Sequence, residues 1–584
     1  MRRYGSRSAA TLLVILIGWF KMSSAETPNE LFNDYWEFQM RQSPTWATEL
    51  GDHRYDSLLP DMSLEAVPRE AAALRSFQAR LDTLRKLKGS ARDTINAELF
   101  GRELSDRLED LENHWYLMPV SQQGGPQIGI PELVNYHPLR TVGDCENFVT
   151  RLQAFPTYVD QLIARMRQGM KEHLVPAKIT IEKALPQIEA HVVDDPQKSV
   201  LAAAIGKIDS TIPENERQRL SEAIRAAIQN DVVPGYDRLA RFVRTEYLPA
   251  CRDTVGILAL PDGKRRYRAL ARQFTTTQLT PEQIFQLGQK QLAEIQTQMR
   301  QLMEDVGFKG TLVEFAESLR HSKEFFHTSA DSLVEGFKTI LKHMDEKLPL
   351  LFGHLPKAPY SFKVMEPYRA ESAPDAYYYP APEDRSRPAY FYINTFRPEM
   401  RPKYTMEALA YHEAVPGHHL QIAIQQELGE LPQFRRHGGY TAFVEGWALY
   451  SEELPKEVGM YSDPYSEFGR LTFDAWRAVR LVVDPGIHYF GWTRDEAIKF
   501  FQENTALSDL NIVSEVERYI AWPGQALAYK VGQLKIQELR VKTERALGDQ
   551  FDVRAFHDEL LSDGALPLDL LEQKMDRWLE SQKK

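Results

Sequence analysis

"YHEAVPGHHLQ", residues 411–421, decides how this chain is read. A His-Glu pair followed by His-His has the ingredients of a zinc hydrolase helix without its spacing. In the common H-E-x-x-H helix two imidazoles four residues apart stack on one face, with Glu beside them as general base. Here His412 is six residues from His418 and seven from His419. At about 100° per residue, six steps turn His418 about 240° away from His412, and seven bring His419 back to the same face but about 10 Å along the axis. Zinc–nitrogen bonds are about 2.0–2.1 Å, so neither pair shares a metal on a straight helix.

Pro416 and Gly417 offer a way out. Proline removes a backbone donor and clashes with the preceding turn, and glycine tolerates the backbone angles that follow. The helix entering with "MEALAYHEA" is therefore expected to bulge by about two residues at 415–417 and resume with "HHLQIAIQQEL". That puts His418 where the fourth residue of the common motif sits. His412 and His418 become the first two ligands, with His419 as the fallback for the second.

A zinc hydrolase needs a third protein ligand and an open position. "GYTAFVEGWALYSEEL", residues 439–454, reads as a second helix, and Glu445 lies 27 residues after His418, enough for one helix to end, turn and return. Its neighbours Ala442, Phe443, Val444, Trp447, Ala448 and Leu449 are apolar, so a carboxylate there needs a partner, and a metal is a good one. Glu452 and Glu453 read as solvent-facing or as supports for the ligands. Glu413 takes the role of base: it would hold the attacking water, accept its proton and pass it to the leaving amine. The oxyanion needs a further donor. Arg518, Tyr519 and Tyr529 in "VERYIAWPGQALAYKVG" are candidates, and so is His419.

The chain has 584 residues, 43% of them apolar and 26% charged, enough for a large core. Arg2, Arg3 and Arg7 precede an apolar stretch from Ala9 to Phe20, with Ser23 and Ala25 at small-residue positions. That is the layout of a secretory signal peptide over residues 1–25, which places the mature protein outside the cell or in the periplasm. No Cys stands near the cleavage point, so nothing there marks a lipoprotein. Losing Arg2, Arg3, Arg7 and Lys21 with no acid moves the formal charge from −11 to −15. Such acidity disfavours nucleic acid and anionic membrane as partners. Cys145 and Cys251 either pair or are buried thiols.

Most of the chain reads as amphipathic helix, without internal repeats. In residues 279–308 Thr280 is a helix cap, Pro281 the first helical residue and Gln283 the closing residue of a capping box, with Ile284, Leu287, Leu292, Ile295 and Met299 near helical period. A helix through residues 217–233 is expected to end before Pro234-Gly235. Residues 26–304 form an N-terminal helical scaffold half, and residues 305–584 a catalytic half with short strands and the metal-binding helices. "APYSFKVMEPY" (358–368) and "RPAYFYINTF" (387–396) read as strands, and "ESAPDAYYYPAPEDRSRP" (371–388) as a loop whose Tyr377, Tyr378 and Tyr379 serve packing or face a substrate.

At these residues the chain resembles the bacterial domain-of-unknown-function family 885, related to the gluzincin metallopeptidases. "SPTWATELGDHRYD", "LTPEQIFQLGQKQLAEI", "AYFYINT", "YHEAVPGHHLQ", "EGWALYSEEL" and "RYIAWPGQALAYKVG" carry the resemblance over nearly the whole mature chain. It implies a mainly α fold like thimet oligopeptidase or angiotensin-converting enzyme, with two helical halves around a deep channel and a small β element beside the metal. By the same analogy the "AYFYINT" strand, with Tyr392 and Asn394, would bind extended substrate backbone. Arg518 would clamp a substrate carboxylate if the enzyme were a carboxypeptidase.

The expected function is a secreted or periplasmic peptidase that hydrolyses oligopeptides with one zinc per chain, held by His412, His418 and Glu445, and Glu413 as base. Two rivals stand beside it. A hydrolase of a non-peptide amide or ester would share the metal and Glu413 but leave peptides uncut. A non-catalytic binding protein of the same fold would bind no metal.

Overall fold

A computed structural model describes residues 26–86, 91–365, 370, 374–382, 385, 387–461 and 463–583. The expected signal peptide lies outside them. The chain is mainly helical, with one small sheet. Among the described residues no helix is long and apolar enough to cross a membrane.

Local sequence signals set many of the helix starts. Pro281–Asp305 (α1) opens with the Thr280–Gln283 capping box and buries Ile284, Leu292, Ile295 and Met299 on one face. At Pro234 the chain departs from expectation. Helix Glu214–Ala227 does not stop there; it passes through a π-turn at Ile228–Val232 into helix Val233–Phe242. A widened turn already loosens the hydrogen-bond ladder, and Pro234 falls at the start of the next segment, where its missing N–H costs nothing.

Three strands follow: Tyr360–Val364 (β1), Ala376–Tyr379 (β2) and Ala389–Ile393 (β3). Their order is β1-β3-β2, with β1 parallel and β2 antiparallel to β3. The Tyr377–Tyr379 segment is thus a strand and not a loop, as its aromatic run favours. Because β3 is paired on both sides, the edge open to another chain is not in "AYFYINT".

Beyond the sheet come Met406–Glu413 (α2), His418–Glu427 (α3), Thr441–Glu453 (α4), Pro464–Pro485 (α5), Asp509–Ala521 (α6) and Ala528–Leu547 (α7). One core gathers residues between Val120 and Cys251 within the first half. Another ties Leu99 and Tyr267 to Tyr411, Trp447 and Met575. A third joins α1 residues to Val479 and Tyr519, because α1 lies along α5. Cys145 and Cys251 are free buried thiols.

Helices α4 and α7 touch backbone to backbone. A Cβ on Gly532 would fall 1.8 Å from the Ala442 carbonyl oxygen, and one on Gly446 would fall 2.5 Å from the Gly532 Cα. Only glycine at both positions allows this approach, and Gly446 is the residue after Glu445.

His557 shows how this core treats polar groups. Its Nδ1–H donates to the Leu351 carbonyl at 2.8 Å and its Nε2 accepts from the Tyr450 hydroxyl at 2.8 Å. Burial pushes the imidazole down to about 3. The unfolded chain takes up a proton below about pH 6.5 that the folded one refuses, so stability falls as pH is lowered through that window. His557→Gln is expected to weaken the protein at pH 7 yet flatten its loss of stability between pH 6.5 and 4 by about 1.4 kcal/mol per pH unit. Denaturant melts of both proteins across that range measure it; parallel slopes would contradict it.

Candidate metal centre

The expected bulge is instead a full break. Helix α2 carries His412 and Glu413 in its last turn, Ala414 leaves helical geometry at φ −108° and ψ −103°, and α3 begins at His418. The Val415–Pro416 peptide between them is cis. A Cβ on Gly417 would lie 2.0 Å from the His412 carbonyl oxygen and 2.3 Å from that of Tyr411, so glycine lets the chain fold back over the end of α2. The His419 N–H closes the turn on the Ala414 carbonyl at 3.0 Å. The Pro416 carbonyl accepts from the Trp447 indole at 2.9 Å and from the Ser451 hydroxyl at 3.2 Å, which fastens the turn to α4. Sequence reading assigned neither residue this role.

That fastening brings His412, His418 and Glu445 together, with one donor atom from each all within 4.8 Å of one another. The imidazoles stand at 85° with centroids 4.8 Å apart. Glu445 Oε2 lies 3.4 Å from His412 Nε2 and 3.6 Å from His418 Nε2. Two donors about 2.0–2.1 Å from a tetrahedral zinc are about 3.3–3.4 Å apart, so this spacing fits the metal. Glu445 Oε2 is buried and accepts no hydrogen bond, the condition of a carboxylate oxygen that needs a cation.

Electrostatics point the same way. Burial opposes charge on His412, but Glu445 and Glu452 outweigh it and raise its pKa to about 9. Burial opposes the Glu445 charge too, and His418 and His412 overcome it, holding the carboxyl well below the ordinary range. The proton that His412 holds beside these carboxylates is one a cation can displace.

Glu452, two turns beyond Glu445 on the same face of α4, accepts from or shares a proton with His412 Nδ1 at 2.8 Å. That bond turns Nε2 towards Glu445, the arrangement by which carboxylates orient metal-binding histidines. Arg477 on α5 backs Glu452 at 3.8 Å, and Glu452 is buried, not solvent-facing. Of the two readings offered from sequence, Glu452 takes the supporting one, and its seven-residue spacing from Glu445 puts both on one face. Glu453 instead accepts from Gln537 at 3.0 Å.

Glu413, beside the cluster, accepts the Tyr378 N–H from β2 at 2.9 Å through Oε2. His419 is turned to the sheet: its Nδ1 lies 3.2 Å from the Tyr378 hydroxyl and its ring packs on Tyr360 at 4.8 Å. Burial lowers its pKa to about 4. It stands outside the three-donor cluster.

The C-terminal candidates separate. Tyr519 is fully buried; its hydroxyl donates to Glu515 at 2.7 Å and accepts from Arg480 at 3.0 Å. Arg518 forks onto Glu515 at 3.0 and 2.9 Å and reaches Gln525 at 2.7 Å. Both are engaged in an internal network. Tyr529 is partly exposed, and burial followed by the Glu445 charge raises its pKa, so it is within electrostatic reach of the cluster. Tyr392 stacks on Tyr377 at 4.6 Å in the central strand. The Asn394 amide donates to the Ala370 and Pro374 carbonyls at 2.6 and 3.1 Å, holding the loop before β2.

The sequence profile of DUF885, described as a bacterial protein of unknown function, matches residues 44–575. The chain belongs to this family. This DUF885 chain is similar to a solved structure from Colwellia psychrerythraea, described as a candidate lipoprotein, at 29% identity and a TM-score of 0.89 over 95% of this chain and 99% of that one. A structure from Shewanella oneidensis, described as a candidate lipoprotein of unknown function, shares the fold at 19% identity and a TM-score of 0.73, covering 94% and 100% of the two chains. No curated protein is significantly similar to it.

Proposed function

We propose that this DUF885 protein is a secreted or periplasmic zinc-dependent peptidase acting on oligopeptides, akin in mechanism to the gluzincins. The observation that carries this reading is the His412–His418–Glu445 cluster with Glu413 beside it. When bound there, zinc supplies a Lewis acid that polarises a carbonyl and acidifies water.

The chain's own residues supply the rest. Glu413 Oε2 is held by the Tyr378 N–H, which leaves Oε1 to take the proton from attacking water and deliver it to the leaving amine. In this reading the Tyr529 hydroxyl, within reach of the Glu445 charge, donates to the oxyanion. Substrate backbone adds to the edge of β2 away from β3, where Glu413 already takes the Tyr378 N–H and the remaining main-chain groups are left for it. The Tyr378 N–H points away from β3, and main-chain groups two residues apart point the same way, so Ala376 also faces that edge. A channel between helical halves that admits short peptides belongs to the same proposal. Export rests on the leader-like residues 1–25 and on the description of the two structural neighbours.

The test is metal analysis of the mature protein together with a mixed peptide library read by mass. The expected result is near one zinc per chain and a set of cleaved peptides. Zinc bound with every peptide intact would redirect the site to other amides and esters, and absence of metal would end the hydrolase reading.

A further inference from the structure

Arg477 and Arg480 sit one turn apart on α5, 5% and 4% exposed. Arginine is seldom buried so deeply unless every N–H is matched. Arg480 is matched incompletely. Its Nε donates to the Tyr519 hydroxyl at 3.0 Å and its Nη2 to Glu515 at 3.1 Å. Trp476 and Tyr529 stack on the guanidinium at 4.7 and 4.3 Å. Nη1 is buried and has no partner, and the same is true of Arg477 Nε.

The direct ion pairs are also uneven. Three guanidinium groups, Arg477, Arg480 and Arg518, converge here on two carboxylates. Glu515 serves Arg480 and the Arg518 fork, and Glu452 is shared between Arg477 and His412. In direct contact the guanidinium groups outnumber the carboxylates, while Glu445 and Asp484 act on Arg477 and Arg518 from further away.

The cluster adjoins the metal centre. Glu452 links His412 to Arg477, and Tyr529, stacked on Arg480, is within reach of the Glu445 charge. The contacts His412–Glu452–Arg477 join the two groups side chain to side chain.

We propose that Arg480, supported by Arg477, is the subsite for the free C-terminal carboxylate of the substrate, which makes the enzyme one that trims peptides from that end. This rests on the peptidase reading. Arg518, the earlier candidate for the role, is spent on Glu515 and Gln525. The fork geometry of a guanidinium suits a carboxylate, and the two aromatic rings hold it in place before the ligand arrives.

The experiment uses zinc-loaded protein and two matched peptide libraries, one with free C-termini and one amidated, cleaved at low peptide concentration. Wild type is expected to cut free acids about ten- to a hundredfold faster, the worth of a charge-assisted hydrogen bond, with the difference in KM and not kcat. Arg480→Gln is expected to bring that ratio close to one, and Arg480→Lys to keep part of it. A folding defect lowers both rates together and leaves the ratio unchanged, so the ratio separates recognition from stability. Equal cleavage of both libraries by wild type, or a ratio unaltered in Arg480→Gln, overturns the subsite while the peptidase stands. Cleavage of neither overturns the peptidase and the subsite with it.

Discussion

Glu413→Gln is expected to keep zinc and fold while peptide cleavage drops by about 10²–10⁴-fold, the usual worth of a positioned general base. The glutamine oxygen still accepts the Tyr378 N–H, so the tie between α2 and β2 survives. Glu413 is not among the three clustered donors, so metal content should not change. What the amide cannot do is accept a proton. The pair of readings, zinc per chain and cleavage rate, therefore isolates proton transfer. A variant that cuts peptides within a fewfold of wild type would remove Glu413 from the reaction.

His418→Ala should be as severe by a different route. It removes one of three donors and leaves Glu445 Oε2 beside His412 alone, so metal and activity are expected to disappear together. Glu452→Gln grades the same site: it leaves all three donors and weakens only the orientation of His412, which predicts a loss of metal affinity of about 10–100-fold. Competition with a zinc chelator measures both variants. Equal affinity in His418→Ala and wild type would show that the donors lie elsewhere.

The helical fold was legible wherever local chemistry decides it, as at Thr280, Pro281 and Gln283. So was the pairing of His412 with His418, because Pro416 and Gly417 announce an interruption even though its form, a complete break, depends on Trp447 and Ser451 from another helix. The sheet was half legible. Aromatic runs marked its strands, but which strand is central follows from pairing across residues 360–393, and no single strand carries that information. The roles of Arg518 and Tyr519 were hidden for a related reason: their partners Glu515 and Arg480 matter only once α5 and α6 are packed together. Arg477 and Arg480 in an apolar helix were the visible sign that such a network existed.

The glycine contact between α4 and α7 bears on how firmly Glu445 is held. At Gly446 and Gly532 the two main chains meet with no side chain between them, so that point of the seam has nothing to re-pack and behaves as a fixed axle. Glu445 rides on that axle, one residue from the contact. A carboxylate fixed in this way keeps its distance from His412 and His418 while the side-chain junctions around it adjust.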